Sequence, residues 1–192
     1  MTIASGAAKA TLRLGARVSC TDKPCGFVTS LVVDPMTRKL PYLVVEPTGR
    51  LGLGKLVPIG AARVKGRSVE IGFERSEFEA LPSAERTRFK LGLPISYGQS
   101  LRRYPEANVS DVLPPGLMGL RRATVVRDYE DSQATFTGLI IDTFTTNILV
   151  VIVSKRRFLY KRTLLLDIGG IMALGDEVTL PVPFDKAPLA QR

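Results

Sequence analysis

"GFVTSLVVDPMTRKLPYLVVE", Gly26 to Glu46, consists of two runs rich in Val, Leu, Phe and Tyr on either side of the turn "DPMTRK". β-Branched and aromatic residues suit a pleated, half-buried surface. Asp34 is suited to accept from the amides just ahead of it, and Pro35 presets the φ of a type I turn, so the stretch reads as a β-hairpin with strands Gly26 to Val33 and Leu40 to Glu46. A weaker copy, "TFTGLIIDTFTTNILVVIVS", runs from Thr135 to Ser154 and places Asp142 on Asp34 at an offset of 108 residues. Tyr42-Leu43-Val44-Val45 then aligns with Val150-Val151-Ile152-Val153. Gly66 to Ile71 aligns with Gly175 to Leu180 at an offset of 109, as one inserted loop residue would produce. Repetition on this scale indicates two units built alike.

Beyond the hairpin, short strands are expected at Lys55 to Ile59, Ala61 to Val64 and Ser68 to Phe73, parted by Gly60 and by Lys65-Gly66. With no long amphipathic helix among them, they indicate a small antiparallel barrel or sandwich. "SEFEALP" follows, where Ser76 and Glu79 have capping-box spacing and Pro82 stops a short helix. The expected organisation is a flexible N-terminus over 1–11, a first barrel over 12–82, a connector over 83–118, a second barrel over 119–185 and a tail over 186–192. The connector is rich in Pro, Gly and Ser and is expected to be partly helical, with one short helix from Ala84 to Leu91 ended by Gly92. Ile148 to Val153 is six aliphatic residues long, which puts apolar groups on both faces of a strand. Its outer face needs a cover from the first barrel, the connector or a second subunit.

"GARVSCTDKPCGFVTSLVVDP", Gly15 to Pro35, resembles the opening of the PRC-barrel superfamily through Gly15, Val18, Asp22, Gly26 and Asp34. "LVPIGAARVKGRSVEI", Leu56 to Ile71, is similar to that family's later section, and "SEFEALP" to its usual ending. The resemblance covers residues 12–82 and, more weakly, 119–185. Members include the cytoplasmic domain of the photosynthetic reaction-centre H subunit and the C-terminal domain of a bacterial ribosome-maturation factor. The resemblance implies two all-β barrels in tandem that dock onto larger assemblies, and it implies no reaction.

The chain of 192 residues has 27 basic and 18 acidic side chains, a net charge of +9. The excess is spread, at +5 over 1–82, +2 over 83–118 and +2 over 119–192. Spread positive charge favours polyanionic neighbours such as RNA, a ribosome or an anionic membrane face, although it also occurs in proteins with no such ligand. Histidine is absent, which removes Ser-His and Cys-His arrangements and the commonest metal ligand. Cys20 and Cys25 lack the second pair that a zinc site needs and are expected as two reduced thiols. "GRLGLGKL", Gly49 to Leu56, resembles a phosphate-binding loop, but Leu56 stands where the hydroxyl residue belongs and a strand follows in place of a helix. No catalytic residue, metal or cofactor is assigned, and an enzyme is not expected. The longest strictly aliphatic run has six residues, against the roughly 20 of a membrane-spanning helix, so no membrane span and a cytoplasmic setting are expected.

The expected role is a non-catalytic adaptor or assembly module that docks onto a protein or ribonucleoprotein surface, with room for a homodimer. The alternative is direct RNA binding, without DNA sequence specificity, by "SKRRFLYKR", Ser154 to Arg162. There Lys155, Arg156, Arg157, Lys161 and Arg162 bracket Phe158 and Tyr160 in what reads as a strand-to-strand loop. Cations neutralise phosphates while aromatics stack on bases. The same residues also fit a charged edge that keeps a sticky sheet from pairing with another copy.

Overall fold

The computed structural model describes residues 8–48, 53–91, 95–97, 100–102, 105–157, 160–175 and 177–187, by backbone alone over 85–111, 156–157 and 160–161. Strands β1 (Lys9–Arg13), β2 (Arg17–Ser19), β3 (Pro24–Asp34), β4 (Lys39–Pro47), β5 (Lys55–Pro58), β6 (Ala62–Lys65) and β7 (Ser68–Ile71) lead to a six-residue helix, α1 (Arg75–Ala80). Next come β8 (Glu85–Leu91), β9 (Ile95–Tyr97), β10 (Ser100–Arg102) and β11 (Pro105–Asp111). The second half holds β12 (Met118–Arg121), β13 (Val125–Arg127), β14 (Gln133–Asp142), β15 (Ile148–Arg157), β16 (Tyr160–Asp167), β17 (Ala173–Leu174) and β18 (Glu177–Thr179).

The protein is all-β, with two barrel-like sheets of one plan. Their orders are β5-β4-β3-β2-β7-β6 and β16-β15-β14-β13-β18-β17. Pairing is antiparallel except for β2 with β7 and β13 with β18, one parallel contact at the same place in each sheet. A 3-10 turn, Ile59–Ala61 in one half and Ile168–Gly170 in the other, carries the chain from the hairpin to the last strands.

Each sheet takes its seventh strand from the other half. β1 pairs with β14, from Lys9 opposite Asp142 to Arg13 opposite Gly138, and β12 pairs with β3, from Met118 opposite Val33 to Arg121 opposite Ser30. Adding 108 to Arg13 gives Arg121 and subtracting it from Gly138 gives Ser30, so the two exchanges obey one pseudo-two-fold relation. The cause is strand length. β3 has 11 residues and β14 has 10, whereas their neighbours β2 and β13 have three each. The remaining edge of each long strand would carry unpaired backbone donors and acceptors, and the leading strand of the opposite half satisfies them. Residues 9–11, expected in a flexible terminus, and Leu12, expected in the first barrel, therefore lie in a strand of the second sheet. Met118 of the expected connector lies in the first.

One apolar cluster runs through both halves, joining Leu12, Phe136 and Leu139 to Val28, Leu31 and Leu120. The outer face of the first sheet has a smaller cluster of Val32, Val44, Leu56 and Ala84, against which Leu113 and Leu117 pack. The ends of the connector thus supply the cover there. Val150 to Ser154 are all buried, so β15 is covered on both faces as its composition requires.

Three local expectations change. The segment Ala84 to Leu91 is not helical: Glu85–Leu91 is β8, paired with β11. Its Arg-Thr-Arg-Phe-Lys-Leu alternation has the period of a strand and outweighs its helix propensity. The capping box of α1 is formed by Glu74 and Glu77, and Ser76 lies inside the helix. The helix starts earlier because Asp22 Oδ1, reaching across from the β2–β3 turn, accepts from the Arg75 amide at 3.0 Å. Cys20 and Cys25, expected as thiols, are joined as a disulfide with Cα atoms 5.7 Å apart. In the second half Asp128 stands where Cys20 does, and its buried carboxylate closes the turn by accepting from the amides of Glu130, Ser132 and Phe184.

Candidate functional site

The basic segment lies mainly in a two-stranded ribbon and not in a loop. Lys155, Arg156 and Arg157 end β15, and Tyr160, Lys161 and Arg162 begin β16. Phe158 lies outside the described residues. In the ladder Lys155 faces Arg162, Arg156 faces Lys161 and Arg157 faces Tyr160. The register thus sets basic positions opposite basic positions at two successive rungs, and like charges directly opposite each other are unfavourable in a ladder. The base of the ribbon has internal compensation. The Lys155 ammonium sits 4.6 Å from the centre of the buried Phe184 ring, a cation–π contact. Lys155 and Arg162 also line a cleft of about 470 Å³ together with Asp128, Glu130 and Asp185. Arg156, Arg157 and Lys161 occupy the distal register positions.

The glycine-rich stretch before β5 carries its lysine elsewhere: Lys55 Nζ donates to the Leu81 carbonyl at 2.9 Å. Among the described residues, no group of three or more His, Cys, Asp or Glu side chains is placed to hold a metal ion. Nor is any helix among them long and apolar enough to cross a membrane.

A second feature is built by the two hairpin turns. Asp34 Oδ1 accepts from the amides of Met36 and Thr37 at 2.9 and 3.1 Å, and its Oδ2 accepts from the Thr37 hydroxyl at 2.7 Å. That hydroxyl, with the Thr37 amide, holds the Asp34 carboxyl below its ordinary value of 3.8. Asp142 Oδ1 repeats the motif with the amides of Phe144 and Thr145 at 2.8 and 3.1 Å. Each turn closes through a positive φ, 55° at Arg38 and 59° at Thr146. The turns are also tied to each other. The Leu40 amide donates to the Thr146 carbonyl at 3.0 Å and the Ile148 amide to the Arg38 carbonyl at 2.9 Å, across the pseudo-two-fold relation.

The side chains at the tips are Met36, 90% exposed, and Phe144, 81% exposed, and they are equivalents in the repeat. Arg38 fastens the first turn to the second half by donating to the carbonyls of Ile168 at 2.9 Å and Ile171 at 3.2 Å, next to Met172, itself 70% exposed. Loops pinned this way have little backbone entropy left to lose when a partner covers their tips. The signal for this pair was present in the sequence as one apolar residue at the centre of each polar turn, at matching positions.

No protein-family model matches the chain, and no curated protein sequence matches it.

Proposed function

We propose that the protein is a non-catalytic adaptor that docks onto a protein or ribonucleoprotein surface through the face bearing Met36 and Phe144. The observation that carries this reading is the pair of exposed apolar tips, held on turns that are hydrogen-bonded internally and to each other. Single exposed apolar side chains are common, but two at equivalent tips of turns hydrogen-bonded to each other offer apolar contact that suits the centre of an interface. The PRC-barrel resemblance is supported by what its residues do. Gly15 has a φ of 80°, a Cβ on Gly26 would collide with the Glu46 carbonyl, Asp22 accepts from the amide that begins α1, and Asp34 organises its own turn. A cytoplasmic setting is compatible with the disulfide because Cys25 is fully buried and Cys20 nearly so, which restricts attack by cellular thiols.

The second reading is RNA binding by the ribbon of Lys155 to Arg162, favoured by its opposed like charges. One experiment separates the two. Tagged wild-type protein, Met36→Ser/Phe144→Ser and Arg156→Ala/Arg157→Ala are each used for affinity capture from native lysate, with and without ribonuclease and at two salt concentrations. Docking by the tips predicts a ribonuclease-resistant partner lost only with the Met36/Phe144 pair. RNA binding predicts capture that ribonuclease and salt abolish and that the arginine pair weakens. A wild-type partner retained by the Met36/Phe144 variant overturns the adaptor reading. A homodimer through the same face would appear as concentration-dependent sedimentation that this variant removes.

A further inference from the structure

The two halves differ where their pseudo-symmetry would place matching clefts. On one side two long side chains reach into the space between β12 and the end of the second unit. Arg38 lays its guanidinium on the Ile168 and Ile171 carbonyls, and Met118 lies over Gly175, where an added Cβ would stand 3.2 Å from its sulfur. On the other side the repeat puts Thr146 in the place of Arg38, Ala10 in the place of Met118 and Gly66 in the place of Gly175. An added Cβ on Gly66 would meet nothing within 4 Å. Replacement of two long side chains by short ones leaves a cleft of about 630 Å³ between β1 and β6. That volume is in the range of pockets that hold small molecules.

The lining of this cleft has charge of one sign. Lys9 and Arg63 enter it, Thr11, Thr143 and Thr146 add hydroxyls, and no carboxylate lines it. The acids opposite the two cations in their ladders make contacts of their own. Glu70, across the ladder from Arg63, gives its carboxylate to Lys65 at 2.8 Å. Asp142, opposite Lys9, holds the amides of its own turn. Neither Lys9 nor Arg63 forms an ion pair among the described residues. Ile59 and Val64, both partly buried, supply apolar wall.

We propose that this cleft binds a small organic anion, with phosphate or carboxylate oxygens held by Lys9 and Arg63 and a compact apolar body against Ile59 and Val64. The site adjoins the turn that carries Phe144 but uses neither the Met36 nor the Phe144 side chain, so loss of one function does not entail loss of the other. Paired cations with hydroxyl donors recognise either oxyanion, and a guanidinium adds bidentate geometry.

The test titrates pyrophosphate, and separately citrate, into the full chain at pH 7 and constant ionic strength, following backbone amide shifts. The expected result is a saturable change confined to Lys9 to Thr11, Arg63 and Thr143 to Thr146, at least about tenfold weaker in Arg63→Ala, as loss of one charged hydrogen bond requires. Response to pyrophosphate alone assigns phosphate, to citrate alone carboxylate, and to both the shared oxyanion chemistry. Thr146→Arg discriminates further: it adds positive charge while rebuilding the plug seen in the other half. Occupancy of the cleft predicts that Thr146→Arg abolishes binding; binding that is unchanged or tighter in it overturns the proposal, as does a non-saturable response or one spread over the β15–β16 ribbon. Ala10→Met, which fills the cleft without changing charge, applies the same criterion if Thr146→Arg does not fold.

Discussion

Gly138 and Ser30 occupy the same place in the two halves, each beneath the strand received from the other. A Cβ on Gly138 would run into the Leu12 carbonyl, whereas Ser30 is accommodated and donates its hydroxyl to the Leu120 carbonyl at 3.2 Å. Gly138→Ala is therefore expected to push β1 from β14 and to cost about 1–3 kcal/mol, as overpacking against backbone does. Ser30→Ala removes one hydrogen bond and is expected to cost about 1 kcal/mol. Paired thermal or urea denaturation checks both, and equal stability of Gly138→Ala and wild type would contradict the packing described. Residue identity alone did not reveal this difference, since a glycine in a strand can equally mark a bulge. The basic residues from Lys155 to Arg162 were plain in the sequence, but their cross-strand opposition depends on how far β15 and β16 extend.

Among the elements, the hairpins were the most legible. Expected strands at Gly26 to Val33 and Leu40 to Glu46 lie within β3 and β4, because apolar density and an Asp-initiated turn both act locally. The turns also make a pH-dependent prediction. Asp34 has a folded pKa below its ordinary 3.8, so its contribution is present above that value and is lost as pH falls through the lower, folded pKa. Amide exchange at Met36 and Thr37, corrected for intrinsic rates, is expected to accelerate below about pH 3.8, while Asp34→Ala shows fast exchange throughout. Protection that does not change with pH would mean that the carboxylate does not hold the turn. The segment Glu85–Leu91 shows the opposite case, where a short charged run looked helical until a distant partner, Pro105–Asp111, fixed it as a strand.

At the scale of the whole molecule, exchange of leading strands makes the halves mutually dependent. Residues 1–82 alone would carry β1 without β14 and would leave the edge of β3 at Ser30 to Val33 uncovered. Since β1 and β12 are register equivalents, β1 of one fragment fits β3 of another, and the fragment is expected to close into a two-fold dimer. Sedimentation equilibrium checks this; a stable monomer with protected Ser30 to Val33 amides would argue against it. The sequence by itself determined the all-β class, the repeat and its 108-residue offset, and the turns, because alternation, β-branching and Asp-Pro chemistry act over a few residues. Only the tertiary structure decided which sheet each leading strand joins, how the disulfide and Asp128 close equivalent turns, and why one inter-unit cleft is plugged and the other open. The strand exchange and the clefts depend on unpaired backbone edges and side-chain volumes meeting across more than a hundred residues, and the two turns on different side-chain chemistry at equivalent places, which no local pattern encodes.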